Sequence, residues 1–405
     1  MVKKILNGAE AAAEAMRQIE PDVVAAYPIT PQTPIVETFS KFCADGKVKT
    51  EMIRVESEHS AMSACIGASA AGARVMTASS SVGLSYMFET LGVASGMRLP
   101  IVMNMANRAL SGPINIHCDH SDTMGSRDAG WIQIFSENSQ EAYDNLIMAI
   151  RIAESAYLPV IVTTDGFIIS HAMENINVLP DDEVTKYIGE IKPPYRLLDT
   201  DNPITVGALD FTDFYFEHKR SQSEAMRKSK EIIVQVSREF SQKYGGDYSL
   251  FESYKMEDAE VAIILLGSTA GTAKAAVDSM RTKGVKAGLV KIRVFRPFPE
   301  EELCGVLSKV KVVGVMDRSE SMNGIGGPVY EEVRSALYDS ESRPKIVDFI
   351  YGLGGRDIFV EDIEKVFGSL SEIDKTGKVN EKIAYVGLRD KCEIKTGSIL
   401  EPSVK

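Results

Sequence analysis

The sequence predicts an α/β protein built from two doubly wound units, and three observations carry that prediction. Apolar runs of strand length alternate with helical stretches in both halves of the chain. A length of 405 residues exceeds the usual size of one hydrophobic core. Between the two alternating series, residues 179–249 turn to prolines, charges and polar residues.

In the first series, residues 23–27 read as a strand, 61–73 as a helix with small residues on every face, and 74–78 as a second strand. Strands follow at 101–106 and 160–164, giving the pattern of a parallel sheet covered by helices. The polar stretch contains a helix around 221–244 rich in Lys, Glu, Arg and Gln, and is read as a linker or an excursion over a neighbour. The second series begins with a buried strand at 261–266, a turn at Gly267 and Ser268, and a helix at 272–283. Strands at 287–292 and 312–316, a glycine-rich turn at 323–327, a helix at 329–337 and a strand at 345–350 complete it. The expected division is therefore 1–250, with the polar stretch at its end, and 251–405.

The composition is that of an ordinary globular protein, with 44% hydrophobic and 25% charged residues and no low-complexity tract. A net charge of −12 argues against nucleic acid or an anionic membrane as a general partner, because phosphates demand basic patches. The lysines near Met1 are followed only by Ile5 and Leu6, too short for a signal peptide, and no apolar run reaches membrane-spanning length. The expectation is a soluble cytoplasmic protein. Cys43, Cys65, Cys118, Cys304 and Cys392 are scattered, odd in number and without Cys-x-x-Cys spacing, so neither disulfides nor structural zinc are expected. An iron–sulfur cluster needs several converging thiolates, so any such cluster is expected in a partner. The loops Asn323-Gly324-Ile325-Gly326-Gly327 and Gly352-Leu353-Gly354-Gly355 follow strands but fit no phosphate fingerprint, and are read as structural turns.

Seven ordered blocks in the first series then point to a family. They are Tyr27-Pro28-Ile29-Thr30-Pro31-Gln32-Thr33-Pro34, Glu56-Ser57-Glu58-His59-Ser60-Ala61, Thr77-Ala78-Ser79-Ser80-Ser81-Val82-Gly83 and Asn107-Arg108-Ala109-Leu110-Ser111. Asp119-His120-Ser121-Asp122, Arg127-Asp128-Ala129-Gly130-Trp131 and Asp165-Gly166-Phe167-Ile168-Ile169-Ser170-His171 follow. Together with Val294-Phe295-Arg296-Pro297-Phe298-Pro299 in the second series, they make the whole chain resemble the alpha subunits of multi-subunit pyruvate:ferredoxin oxidoreductases, in the 2-oxoacid:ferredoxin oxidoreductase family. The resemblance implies a pyrimidine-type thiamin-diphosphate-binding fold in the first domain and a transketolase C-terminal-like α/β domain after it. It also implies thiamine diphosphate with Mg2+ as cofactor, the diphosphate and Mg2+ being held by a beta subunit. The Gly-Asp-Gly start of a diphosphate half-site is missing here, Gly245-Gly246-Asp247 lying in the polar stretch without the right sequel. A gamma subunit, a ferredoxin-like delta subunit carrying [4Fe-4S] clusters and external ferredoxin are the further implied partners.

By the same resemblance Glu58 is the carboxyl that hydrogen-bonds the pyrimidine N1′ and favours the imino tautomer of the cofactor, and Pro28 and Ile29 adjoin the cofactor. Glu56 is the rival carboxylate, pointing the other way if the segment is extended. Arg108 and Thr30 correspond to the residues that hold the 2-oxoacid, a guanidinium fork and a hydroxyl suiting its carboxylate. Arg127 is the alternative cation, with Asp128 beside it as an ion-pair partner. His117-Cys118-Asp119-His120 concentrates metal-ligand types, but its spacing matches no common zinc signature and no metal is assigned. His59 and His171 are read as polar supports, Met97, Met103 and Met105 as core filler, and Asp317-Arg318-Ser319-Glu320 as a solvated loop. The implied reaction converts pyruvate, coenzyme A and oxidised ferredoxin reversibly to acetyl-coenzyme A, carbon dioxide and reduced ferredoxin. Alternatives are the same chemistry on 2-oxoisovalerate or 2-oxoglutarate, a ferredoxin-independent transketolase-like enzyme, and a non-catalytic scaffold subunit.

Overall fold

The computed structural model describes residues 1–389, so Cys392 lies outside the described residues. Its strands are β1 (Val2–Asn7), β2 (Val23–Ala26), β3 (Glu51–Arg54), β4 (Val75–Ser79), β5 (Ile101–Asn107), β6 (Ile132–Phe135), β7 (Val160–Asp165) and β8 (Met173–Val178), followed by β9 (Phe251–Tyr254), β10 (Val261–Leu266), β11 (Ala287–Ile292), β12 (Val294–Arg296), β13 (Val312–Asp317), β14 (Lys345–Tyr351) and β15 (Ile383–Val386). They form a seven-stranded sheet in the order β12-β6-β7-β5-β4-β2-β3, a six-stranded sheet in the order β15-β14-β13-β10-β11-β9, and the separate ribbon β1-β8.

The central strands of both sheets are buried along their whole length because helices cover both faces. On one face of the first sheet lie the helices Gly8–Ile19 and Ser139–Ala156, which share a core with Val24, Val102 and Val160. The first of these is fixed at its start by Asn7, which accepts from the Glu10 amide while Glu10 returns the bond. On the other face the small-residue helix Glu58–Ala70 and the helix Phe88–Gly96 pack with Met103, Met105 and Trp131. The second sheet is sandwiched likewise, by Thr269–Thr282 and Val360–Thr376 on one side and Glu300–Leu307 and Pro328–Leu337 on the other.

Two expectations need correction. The polar helix runs from Tyr215 to Tyr244 and is no linker, because Ile233, Val236 and Phe240 on its second half are buried in the core of the first sheet. The block around Phe295 supplies β12, which pairs antiparallel with β6, so a strand from the second half of the chain closes the edge of the first sheet. Polar contacts join the halves as well. Lys291 on β11 reaches Glu137 at 2.7 Å and Glu141 at 2.6 Å. Arg293 donates to Asn145 at 2.7 Å and to Ser237 at 2.6 Å.

The loop 323–327 is organised by two buried carboxyls, Asp317 and Asp348. Asp317 accepts from the amides of Val329 and Tyr330 at 3.0 and 2.9 Å, which occupies the start of the helix Pro328–Leu337. Asp348 accepts from Gly327 at 2.7 Å. A Cβ on Gly327 would sit 2.4 Å from the Asp317 carboxyl carbon, so glycine here permits a backbone approach to an acid. Burial pushes both carboxyls up: Asp317 is raised further by the neighbouring Asp348, and Asp348, with added repulsion from Glu320, rises to about 7. The folded pair thus holds its proton more tightly than the unfolded chain, whose Asp pKa is about 3.9, and stability is lost as the pH rises from there through about 7. Asp348→Asn keeps an acceptor for Gly327 and removes the carboxyl that must ionise as the pH rises. It is expected to raise the Tm at pH 8 by roughly 2–4 °C, the response to about 1 kcal/mol, with a smaller gain at pH 5. Scanning calorimetry that finds equal gains at both pH values would contradict the proton-sharing account.

Candidate active site

The residues singled out from the sequence gather at the carboxyl ends of four adjacent strands, β5-β4-β2-β3. Thr30 follows β2, Glu58 follows β3, Ser79-Ser80-Ser81 closes β4 and Arg108 follows β5. The chain moves outward from β2 to β3 and then returns past β2 to β4, so the reversal opens a crevice between β2 and β4. Gln32, fully buried, spans that point. Its Nε2 donates to Ala78 O at 3.0 Å and its Oε1 accepts from the Ile29 amide at 3.2 Å, which pins the Pro28–Thr30 turn against β4. Pro28 and Thr30 are exposed on this turn and Ile29 is half-buried.

Glu58 is the first residue of its helix, directly after Ser57, whose hydroxyl accepts from the Ser60 amide at 3.2 Å. Its side chain is buried, the residue being 7% exposed, yet its carboxylate accepts no hydrogen bond among the described residues. A Cβ on Gly83 would lie 2.6 Å from Glu58 Oε1 and 2.6 Å from Ser79 Oγ, so glycine lets the helix Ser81–Tyr86 close over the carboxyl. Ser79 Oγ is itself buried and has no hydrogen-bond partner among the described residues. A buried carboxyl and a buried hydroxyl side by side, neither hydrogen-bonded among the described residues, mark a place suited to an outside polar group. Glu56 points elsewhere, being exposed and bonded to the Ser60 hydroxyl, which holds its carboxyl below the ordinary value.

Arg108 shows the complementary deficit. Its Nε donates to Asn115 O at 2.8 Å and its Nη1 to Thr30 O at 3.0 Å, so the structure brings Arg108 and Thr30 together. The residue is 9% exposed, and among the described residues no carboxylate lies within ion-pair distance of its guanidinium. A buried cation with free donors and no counter-ion favours an anionic ligand. Arg127, the alternative, is occupied by Glu331 at 3.3 Å and by Asp128 at 3.9 Å.

The residue that sequence reasoning missed as a site former is Asp122, though its block was visible. Its Oδ2 accepts from the amides of Ser81 at 3.0 Å and Arg108 at 2.8 Å, and its Oδ1 from Asn107 Nδ2 at 2.8 Å and the Thr123 amide at 2.7 Å. Ser81 sits in the left-handed region at φ 47° and is held there by this bond and by its own hydroxyl, which donates to Ala109 O at 2.6 Å. Burial raises the Asp122 carboxyl to about 6, against its hydrogen-bond donors.

Cys118, His120 and Asp165 converge within 4.8 Å. Both oxygens of Asp165 are engaged, Oδ1 lying 2.8 Å from His120 Nε2 and Oδ2 3.1 Å from Arg318 Nη1. Burial opposes ionisation of Asp165, but His120 and Arg318 outweigh it and hold the carboxyl well below the usual range. Burial pushes the Cys118 thiol well up, away from the thiolate a metal needs, and the adjacent guanidinium repels a cation. The group is a polar seam between the two halves. Arg318 is therefore buried, as are Asp317 and Ser319, which corrects the expectation of a solvated loop. Gly354 lies on the same seam, accepting from Asn115 Nδ2 at 3.1 Å, and a Cβ there would sit 2.3 Å from that atom. His171, exposed, contacts Ser170 Oγ at 2.7 Å, and His59 is half-buried beside the Tyr86 ring.

The crevice, with its carboxyl and guanidinium lacking partners among the described residues, lies in the part of the chain that places the protein in the class of thiamine-diphosphate-binding proteins. Residues 14–238 match the family model described as pyruvate flavodoxin/ferredoxin oxidoreductase, thiamine diphosphate-binding, and residues 259–363 match pyruvate:ferredoxin oxidoreductase core domain II. The chain belongs to the pyruvate:ferredoxin oxidoreductase family. It is 55% identical over 387 residues to pyruvate synthase subunit PorA of Thermotoga maritima, covering 95% of this chain and 98% of that one. It is 43% identical to PorA of Pyrococcus furiosus and 43% identical to ketoisovalerate oxidoreductase subunit VorA of Pyrococcus horikoshii, in each case over 96% of this chain and 98% of the relative. Among solved structures, a 2-oxoglutarate:ferredoxin oxidoreductase from Magnetococcus marinus superposes with a TM-score of 0.68 at 20% identity, covering 90% of this chain and 65% of that chain. A split-gene transketolase superposes at 0.52 with 12% identity, covering 90% of this chain and 96% of that one. Both share the fold.

Proposed function

We propose that this chain is the alpha subunit of a pyruvate:ferredoxin oxidoreductase, supplying the pyrimidine side of a thiamine diphosphate site and the cation that receives the substrate carboxylate. The observation that carries this reading is Glu58, a buried carboxyl with no hydrogen-bond partner among the described residues, beside the Ser79 hydroxyl, which likewise has none there. Bound thiamine diphosphate supplies the carbanion chemistry that detaches carbon dioxide from a 2-oxoacid. With the cofactor bound, Glu58 would hold a proton at N1′ of the pyrimidine, Pro28 and Ile29 would line the cofactor, and Arg108 with Thr30 would orient the 2-oxoacid. Residues 1–250 and 251–405 are the two units, with β12 crossing back to the first.

The diphosphate and Mg2+ belong to a beta subunit, and [4Fe-4S] clusters to a ferredoxin-like delta subunit, with a gamma subunit completing a cytoplasmic complex that reduces external ferredoxin and acylates coenzyme A. The exposed apolar side chains Tyr86 and Phe88, 62% and 54% accessible on the segment that covers Glu58, support a partner on that side. Among the described residues no helix is long and apolar enough to cross a membrane.

Pyruvate is preferred over the branched-chain acid because the 55% identity to a pyruvate synthase subunit exceeds the 43% to a ketoisovalerate one. A single methylene in a pocket changes discrimination by only about 1–3 kcal/mol. Steady-state assays of the purified complex are therefore expected to give pyruvate a kcat/KM at least about tenfold above 2-oxoisovalerate and 2-oxoglutarate. A preference for either competitor would reassign the substrate.

A further inference from the structure

Three of the sequence blocks meet on one carboxylate. Asp122 binds the amide of Ser81 after β4, the amide of Arg108 after β5, and the side chain of Asn107 at the end of β5. The same loops are cross-linked by Ser80 Oγ donating to Ala106 O at 2.7 Å and Ser81 Oγ donating to Ala109 O. Asp122 is 2% exposed and its helix Ser121–Gly125 is held by the His120 amide bonded to Arg318 O at 2.8 Å, so it is fixed from the second half of the chain. From Arg108 the connection continues through its guanidinium to Thr30 O.

We propose that Asp122 is the positioning residue of the substrate site, setting the backbone of Arg108 so that its guanidinium lies beside Thr30 and faces the 2-oxoacid carboxylate. The inference rests on the reading of Arg108 as the substrate's cation. It follows from donor arithmetic: each Asp122 oxygen receives at least two N–H donors, an arrangement that a carboxylate accepts and an amide cannot. In Asp122→Asn one NH2 group must face N–H donors, and the Arg108 or Asn107 segment must withdraw.

The test is a double-mutant cycle in the assembled complex, with pyruvate kcat/KM as readout and Tm and subunit content as controls. Asp122→Asn alone is expected to lower kcat/KM about 10–100-fold, mainly through KM, as loss of a buried hydrogen-bond network does. In an Arg108→Ala background the same change is expected to cost less than about threefold, because the group it positions is gone. Asn107→Ala, which withdraws one donor and leaves the carboxylate, should show a smaller loss that Arg108→Ala also suppresses, and it carries the test if Asp122→Asn fails to assemble. Losses that add fully in the double variants would overturn the proposal while leaving Arg108 in its role. An Arg108→Ala variant with unchanged kcat/KM would instead remove the reading of Arg108, and the proposal with it.

Discussion

In the assembled complex Glu58→Gln is expected to slow deuterium exchange at the thiazolium carbon of bound thiamine diphosphate on the order of 10²–10⁴-fold, the usual worth of a positioned acid–base group. The change removes a proton relay and little else. Glu58 has no hydrogen bond among the described residues, so an amide of the same size breaks no protein contact. Gly83 and Ser79 still fit around it, because the close approach at Oε1 is steric and both side chains share that shape. The loss should therefore appear in exchange and turnover, with assembly and Tm intact. Glu56→Gln is the matched control, since that carboxylate is exposed and spent on the Ser60 hydroxyl. An unchanged exchange rate in Glu58→Gln, with slowed exchange in Glu56→Gln, would exchange the two roles.

Arg108→Ala is expected to lower kcat/KM for pyruvate by roughly 2–4 kcal/mol, a loss typical of truncating one partner of a buried charge-assisted contact. The guanidinium is buried, uses Nε and Nη1 on carbonyls, and lacks a carboxylate partner among the described residues. A site that keeps a cation dry and uncompensated gains most when an anion arrives. Exchange at the thiazolium carbon should be nearly unaffected, because Glu58 stands on a different loop. Equal kcat/KM values in wild type and variant would sink the assignment. Arg127 is a poor substitute, since Glu331 and Asp128 already engage it.

What could be read in the sequence follows from the range of the forces involved. The runs 261–266 and 287–292 match β10 and β11 residue for residue, because a strand buried on both faces is written mainly in aliphatic residues, with Lys291 the one charge in these two. The helix expected at 61–73 begins three residues earlier, at Glu58, because the Ser57 cap and not the apolar pattern sets its start. The ribbon β1-β8 was not legible: half of its residues are exposed, and Lys3 and Lys4 in β1 break the period of two that Asn175-Ile176-Asn177-Val178 shows in β8. The polar helix misled because only a few apolar positions on its second half anchor it, in a segment otherwise charged. In the site, Thr30, Glu58 and Arg108 were visible as members of ordered blocks, and the structure adds that Arg108 touches Thr30. The seam of Asp165 with Arg318 spans 153 residues, and nothing local to either residue announces it. Asp122 stands within an ordered block, but its role depends on two loops that only the folded sheet places side by side.

Whether this chain holds one half of a thiamine diphosphate site is measured by isothermal titration calorimetry on the isolated chain. Thiamine diphosphate should bind weakly and without dependence on Mg2+, since the crevice offers Glu58 to the pyrimidine and the chain has no Gly-Asp-Gly motif for the diphosphate. Adding the partner subunit that carries that motif should restore tight, Mg2+-dependent binding. Tight, Mg2+-dependent binding by this chain alone would contradict the account.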